Sequence, residues 1–363
     1  MLIPRSILPH DGRFGSGPSR VRPEAAARLA QSTLLGTSHR QAPVKNLVAH
    51  VQESLAQLLS LPDGYEVTLG LGGGTAFWDV ATYSLVRSRA AHGIFGEFGN
   101  SFFMETDGAP FLEPSIAVRA VPGSCAVPTG EEGADLLAWP ENETSTGVIA
   151  PVTRVGNDQL IVVDATSSAG GVEVDISQTD AYFFAPQKCF AADGGLWFAV
   201  LSPAAVARAE ELAAERWIPR FFSLTAAIEN SRSHQTLNTP AIATLELMAA
   251  QLDFLLGLGG LGAAAARSRE SSSHIYEWAA ERSFATPFVA DPALRSPVVA
   301  TIDFEGVDVN LLKAILRDNG IVDVDAYRKL GRNQLRIGTF PAVDPDDVRA
   351  LTASIDWVVA HLD

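Results

Sequence analysis

Two polar residues end consecutive apolar runs in this chain. The run LIVVDAT carries Asp164 and the next, AYFFAPQK, ends on Lys188, so neighbouring strands would bring a carboxylate and an amine to one edge of a sheet. An amine that can hold an aldehyde covalently, beside an acid that keeps a pyridine nitrogen protonated, is the pair that pyridoxal phosphate chemistry requires. Taken singly, the two read equally well as a loop cap and a surface lysine. Upstream, Gly72-Gly73-Gly74-Thr75 falls between a strand-like and a helix-like segment. Free backbone N–H groups and the helix dipole favour an anion there, and glycines let the backbone come close. The dinucleotide pattern G-x-G-x-x-G is incomplete: Gly70 and Gly72 are present, but Thr75 takes the last place.

Cations that could clamp an anionic substrate fall in two groups, Ser38-His39-Arg40 and Arg332 with Arg336. The planar guanidinium matches carboxylate and phosphate through paired hydrogen bonds, and a substrate with two anionic ends needs two such clamps. Either group alone also reads as solvated charge or a structural ion pair. The formal charge of −15 argues against nucleic acid as a partner. Only Cys125 and Cys189 are present, too few to staple 363 residues, and no Cys/His spacing resembles a metal site, so no metal is expected and a reducing cytoplasm fits. The N-terminus is broken by Pro4, Arg5 and Pro9 and does not read as a signal peptide. The most apolar window, residues 248–266, is interrupted by Asp253, Gly257, Gly259, Gly260 and Gly262 and reads as a buried helix rather than a membrane span.

The elements that must position these residues follow from the pattern. Helices are expected over residues 23–32 and 44–61, and a strand, glycine loop and helix over 65–86. Short strands then read from GIFGEF, SIAVRAV, LLAWPEN, LIVVDAT and AYFFAPQK. Strands alternating with helix-length stretches imply an α/β domain with a mostly parallel sheet, whose ligands gather at the carboxyl ends of the strands. The texture then changes to a helix at 263–282, a strand at PVVATIDF, a helix at VNLLKAILRDNG, a strand at QLRIGTF and a helix at 344–361, a smaller α+β unit. The expected organisation is an N-terminal segment 1–15, a large domain 16–258 and a small C-terminal domain 259–363.

In order, Gly15-Ser16-Gly17-Pro18, Ser38-His39-Arg40, Gly72-Gly73-Gly74, Asn142-Glu143-Thr144, Asp164-Ala165-Thr166-Ser167-Ser168, Gln187-Lys188, Asn238-Thr239-Pro240 and Leu335-Arg336-Ile337 resemble the phosphoserine aminotransferases, class V members of the fold-type I pyridoxal-phosphate enzymes, in their actinobacterial branch. The resemblance implies Lys188 as the residue that holds the cofactor aldehyde and shuttles a proton, with Asp164 on the pyridine nitrogen. It implies Gly74, Thr75 and Gln187 on the cofactor phosphate, joined by Asn238 and Thr239 from a second subunit of an obligate homodimer with active sites at the subunit interface. Thr144 would lie near the ring hydroxyl and Phe98 against the ring face. Arg336 would take the substrate α-carboxylate, and His39 and Arg40, with Ser16 nearby and Arg332 as a further contact, the distal phosphate or carboxylate. The implied reaction passes an amino group from glutamate to 3-phosphohydroxypyruvate, with 4-phosphohydroxythreonine as a possible second product.

Three positions depart from the family pattern: Thr75 stands where many members carry arginine, Phe98 where they carry tryptophan, and the stretch Tyr327 to Arg332 lacks the usual histidine. The nearest rival is an alanine- or serine-glyoxylate aminotransferase, which would share Asp164 and Lys188 without needing cations for a distal anion. A cysteine desulfurase would need a mobile thiol, and a nicotinamide oxidoreductase would use the Gly70 to Thr75 loop.

Overall fold

The computed structural model describes residues 1–362. The chain opens with α1 (Pro23–Ala30) and α2 (Ala42–Leu58), then β1 (Glu66–Leu71), α3 (Gly74–Ser84), β2 (Ala90–Ile94), α4 (Glu97–Asp107) and β3 (Ile116–Arg119). Next come β4 (Leu136–Pro140), a ribbon of β5 (Asn142–Glu143) and β6 (Val148–Ile149), then β7 (Leu160–Asp164), β8 (Ala181–Phe184) and β9 (Leu196–Leu201). Helices α5 (Pro203–Glu215), α6 (Leu224–Arg232), α7 (Ile242–Leu258) and α8 (Leu261–Ala280) lead to β10 (Ala285–Pro287), β11 (Val299–Phe304), α9 (Val309–Asp318), β12 (Gln334–Gly338) and α10 (Pro345–Val359).

The large sheet runs β1-β9-β8-β7-β4-β2-β3. From β3 to β8 the pairs are parallel, while β9 is antiparallel to both neighbours. Strands β4, β7, β8 and β9 are buried along their whole length, which is why they read as continuous apolar runs: helices cover both faces. One face packs Leu55 of α2 and Leu252 of α7 against Leu69 and Phe198. On the other, Phe77 of α3 stacks on Phe183 at 4.4 Å and meets Trp197 edge-on at 5.1 Å. Truncating Phe183 to Ala would open that layer at a cost of about 3–5 kcal/mol.

Strand β9 was not among the sequence expectations, and its topology explains the omission. Because it returns antiparallel from β8, it needs no helical crossover and falls outside the strand–helix alternation that betrays the other strands. The apolar window at 248–266 is corrected from one buried helix to parts of two. Gly259, at φ 118°, ends α7 in the left-handed region, and the chain leaves in α8 after a 90° bend. Among the described residues no single helix is long and apolar enough to cross a membrane.

A separate core joins β11 and β12 (Ile302, Leu335, Ile337) to α8, α9 and α10 through Ile275, Leu312 and Ile355, and takes in Ile3 and Phe14 from the N-terminal segment. This C-terminal unit is fastened to the β5–β6 ribbon: Thr301 Oγ1 donates to the Thr146 carbonyl at 2.9 Å, and the Ser296 N–H to the Gly147 carbonyl at 2.9 Å. The ribbon follows directly on β4, so both units meet at the carboxyl edge of the sheet.

Candidate active site at the carboxyl edge of the sheet

Parallel pairing aligns the ends of β7 and β8, with Asp164 opposite Phe183, and the turn after β8 carries Lys188 over the same edge. Lys188 Nζ donates to the Ser16 carbonyl at 2.8 Å. A Cβ on Gly17 would collide with the lysine, so the Ser16-Gly17 backbone is the lid against which the amine rests. Burial, and next the positive charge of Arg336, push the Lys188 pKa down to about 8, against a smaller upward pull from Asp164. Asp164 accepts from Trp78 Nε1 on Oδ2 at 3.0 Å and from the Thr166 N–H on Oδ1 at 2.9 Å. Burial raises its pKa, and the hydrogen bonds from Thr166 and Trp78 and the charge of Lys188 oppose that rise.

Helix α3 starts at Gly74, beside Asp164. A Cβ at Gly74 would sit 2.7 Å from Thr166 Oγ1, so only glycine lets the helix start approach this loop. Thr75, in the first turn, is exposed. Glu143 fixes the start of α4 by accepting from the Phe98 and Gly99 N–H groups, each at 3.0 Å. Phe98 is thereby turned toward Tyr327 of the C-terminal unit, edge-on at 6.1 Å, and Glu97 forms an ion pair with Lys329 beside it. Thr144 Oγ1 donates to Ser167 Oγ at 2.7 Å, as does Asn142 Nδ2 at 2.8 Å.

Arg336 on β12 reaches the same ribbon, donating to the Thr144 carbonyl at 3.2 Å, with its guanidinium over the Tyr327 ring at 5.4 Å. It lines a cavity of about 710 Å³ with Lys313, Tyr327, Arg328 and Arg332. Arg332 grips Asp303 through Nε at 3.0 Å and Nη2 at 2.5 Å and lies over Phe288, so its charge is already matched. Four buried polar atoms on the segments that meet at this edge lack a partner among the described residues: Asn142 Oδ1, Thr166 Oγ1, Gln187 Oε1 and Arg336 Nε. Leaving such groups unmade costs about 1–3 kcal/mol each, so their occurrence on the segments around Lys188 fits a polar ligand.

His39, Arg40 and Thr239 lie apart from this cluster. His39 Nδ1 is 3.2 Å from Thr239 Oγ1, which groups the 38–40 and 238–240 segments, and Arg40 and Thr239 are exposed. Among the described residues none of them bonds to Lys188, Asp164 or Arg336.

The class V aminotransferase family model matches residues 130–325. The phosphoserine aminotransferase of a Nocardioides species is 55% identical, covering 100% of this chain and 99% of its own length. A Mycolicibacterium vanbaalenii protein provisionally given the same name is 59% identical, covering 99% and 98%. The chain belongs to the class V aminotransferases, among the phosphoserine aminotransferases. The crystal structure of the Cytophaga hutchinsonii phosphoserine aminotransferase superposes with a TM-score of 0.89 at 25% identity, covering 96% of this chain and 98% of that one. The architecture is that of the fold-type I pyridoxal-phosphate transferases.

Within this family the residues named from sequence divide in two. Lys188, Asp164, Gly74, Thr144, Phe98, Gln187, Ser16 and Arg336 lie on segments that meet at one sheet edge, whereas His39, Arg40, Asn238 and Thr239 form an outer ridge and Arg332 is occupied by Asp303. Sequence reasoning missed two supporting residues, Trp78 and Glu141, and gave Glu143, part of a motif it named, no role. Trp78 holds Asp164, Glu143 holds the start of α4, and Glu141 accepts from Ser168 Oγ at 2.5 Å and Tyr182 Oη at 2.7 Å under the Asp164 loop. Trp78 read as one more apolar residue of an amphipathic helix, and an isolated Glu carries no signal of burial. Cys189 is buried, donates to the Ser167 carbonyl at 3.4 Å and has its pKa raised by burial, which disqualifies it as a desulfurase nucleophile.

Proposed function

We propose that this enzyme uses pyridoxal 5'-phosphate to transfer the amino group of L-glutamate to 3-phosphohydroxypyruvate, giving O-phospho-L-serine and 2-oxoglutarate, and that it also accepts the 4-phosphohydroxythreonine pair. The observation that carries the reading is a depressed lysine and a doubly anchored aspartate at one sheet edge, beside four buried polar atoms that have no partner among the described residues. When bound, the cofactor would supply an aldehyde for the lysine and an electron sink for the charge that develops at the substrate Cα. Lys188 would hold it at the aldehyde, Asp164 at the pyridine nitrogen, and the Gly74 and Thr75 N–H groups with Gln187 at the phosphate. Thr144 would meet the ring hydroxyl and Phe98 the ring face. The outer ridge supports a homodimer in which the partner subunit's Asn238 and Thr239 close the phosphate seat.

The chain's own groups then have definite tasks. With a pKa of about 8, Nζ of Lys188 is deprotonated in an appreciable fraction of molecules at neutral pH, so it can take a proton from the substrate Cα and return it to the product. Arg336 clamps the α-carboxylate that every substrate shares, and its charge also favours the neutral amine. The distal phosphate or carboxylate falls to His39 and Arg40, a flexible cationic pair suited to both anions. Tyr327 against Phe98 and Lys329 against Glu97 cover the mouth and limit water.

An alanine- or serine-glyoxylate aminotransferase would keep Lys188, Asp164 and Arg336 but give an unpaired Arg40 no task. A half-reaction screen separates the two. The purified protein with cofactor is mixed with phosphoserine, glutamate, alanine or serine, and loss of the violet-blue absorption is followed. Rapid loss with phosphoserine and glutamate alone is expected; loss with alanine or serine and none with phosphoserine would overturn the substrate assignment.

A further inference from the structure

The Asp164 carboxylate has both oxygens engaged before any ligand arrives, and the indole on Oδ2 comes from α3, the helix whose first turn forms the proposed phosphate seat. Trp78 lies four residues, about one helical turn, after Gly74. Its ring is nearly buried and stacks on Phe102 (6.1 Å, 13°), which in turn abuts Phe183 of β8 edge-on at 5.9 Å. The indole is thus locked by packing, and its one donor points at the carboxylate. A purely apolar role would be met by phenylalanine, which stacks as well and donates nothing.

We infer that Trp78 is a positioning residue: its N–H holds the Asp164 carboxylate in the orientation that meets the cofactor's pyridine nitrogen, and α3 thereby ties both ends of the cofactor to one rigid element. This rests on the cofactor reading above. The circuit closes through Thr166, whose N–H holds Oδ1 and whose side chain touches the space beside Gly74. With one indole N–H on Oδ2, that oxygen keeps lone-pair capacity for a ring N–H, and the aspartate cannot rotate away from it. Removing the indole N–H leaves a buried carboxylate with one donor fewer, which favours its protonated form and weakens its hold on a pyridinium.

The test compares wild type, Trp78→Phe and Phe102→Leu, each purified with cofactor. The readouts are the pH midpoint of the violet-blue absorption, kcat and KM for phosphoserine, cofactor retention on dialysis, and the thermal midpoint. Trp78→Phe is expected to raise the absorption midpoint by about half a unit or more and to lower kcat about tenfold, the loss of one hydrogen bond to a charged group, with KM within about twofold. Phe102→Leu loosens the same packing without touching the N–H, and should lower the thermal midpoint while leaving the absorption midpoint in place. A native midpoint and kcat in Trp78→Phe, or a Phe102→Leu variant that reproduces the shift, overturns the inference alone. A wild-type protein that binds no cofactor overturns the cofactor reading and this inference with it.

Discussion

Around Lys188 each charged side chain is held by groups of its own chain: Asp164 by Trp78 and Thr166, Glu143 by the α4 N–H groups, Glu141 by Ser168 and Tyr182, and Arg336 by the Thr144 carbonyl. On the ridge at 38–40 and 238–240 the opposite holds. Arg40 is exposed and has no ion pair among the described residues, and His39 has Thr239 as its hydrogen-bond partner. In our reading, preorganisation is concentrated where a proton must move and a lysine must give up its charge readily, since those tasks fail with small displacements. Recognition of the distal anion tolerates mobility and, in our reading, is completed by a second copy of the chain.

The largest effect should come from the interior. Lys188→Ala is expected to lower kcat by at least about a thousandfold, because one residue supplies both the covalent hold and the proton shuttle, while the protein stays folded. Stopped-flow half-reactions with phosphoserine would check it; residual turnover within tenfold of wild type would move the centre of chemistry elsewhere.

A second break of the interior acts through pH. Burial, against hydrogen bonds from Ser168 and Tyr182, raises the Glu141 pKa from its ordinary 4.5 to about 7. The facing groups, Tyr182 and Cys189, both have raised pKa values and stay uncharged in this range. A raised carboxyl pKa means that the folded state holds the proton more tightly, so its contribution is present below pH 4.5 and lost as pH rises through 7. Glu141→Gln keeps an oxygen that accepts from both hydroxyls and removes the titration. Urea unfolding at pH 5 and pH 8 should show the wild type losing between about 2 and 3 kcal/mol relative to the variant, just under two powers of ten in the folding equilibrium. Parallel curves would place the group in contact with solvent.

These two residues also mark how far the sequence could be read. Asp164 and Lys188 were visible because each ends a run of apolar residues, and parallel pairing aligns such ends by construction. Glu141 was not, because its burial depends on Ser168, in the turn after β7, and Tyr182 of β8, which close over it from elsewhere in the chain. Strand β9 was hidden by its antiparallel return, and the bend at Gly259 because the glycines that interrupt residues 248–266 were read as lying within one buried helix. The double role we assign to α3, phosphate seat at one end and aspartate anchor one turn later, was out of reach of the sequence, since period 3.6 gives the buried face and not the donor that uses it.

The ridge should respond more gently. Arg40→Ala is expected to reduce kcat/KM for phosphoserine about tenfold or more while leaving that for glutamate less affected, because phosphate offers the guanidinium more oxygens. Mixing this variant with Lys188→Ala sharpens the comparison. If the ridge serves the partner's pocket, each mixed dimer carries one intact site, and a random one-to-one mixture recovers about a quarter of native activity. If Arg40 serves its own pocket, one site in each mixed dimer lacks Arg40 and the other lacks Lys188, so no native site is restored and recovery does not occur. The Arg40→Ala/Lys188→Ala double variant paired with wild type gives the reciprocal check. Acting across the interface, the two defects fall on different sites and leave no intact site in the mixed dimer; acting within one chain, they fall on one site and leave the other native.

The smallest effect belongs to Arg332, the cation that sequence reasoning placed on the substrate phosphate. Its guanidinium is committed to Asp303 and to the face of Phe288, and it is half exposed, so the pair contributes at most about 1 kcal/mol to stability. To reach a substrate it would have to leave a matched partner, whereas Arg328 in the same cavity has no ion pair among the described residues. Arg332→Ala should therefore change kcat/KM for phosphoserine by less than about threefold, within the range of a surface ion pair. A loss greater than tenfold, with glutamate unaffected, would mean that the Asp303 pair opens when substrate binds, and would move Arg332 from the set of structural cations to the flexible set that Arg40 represents.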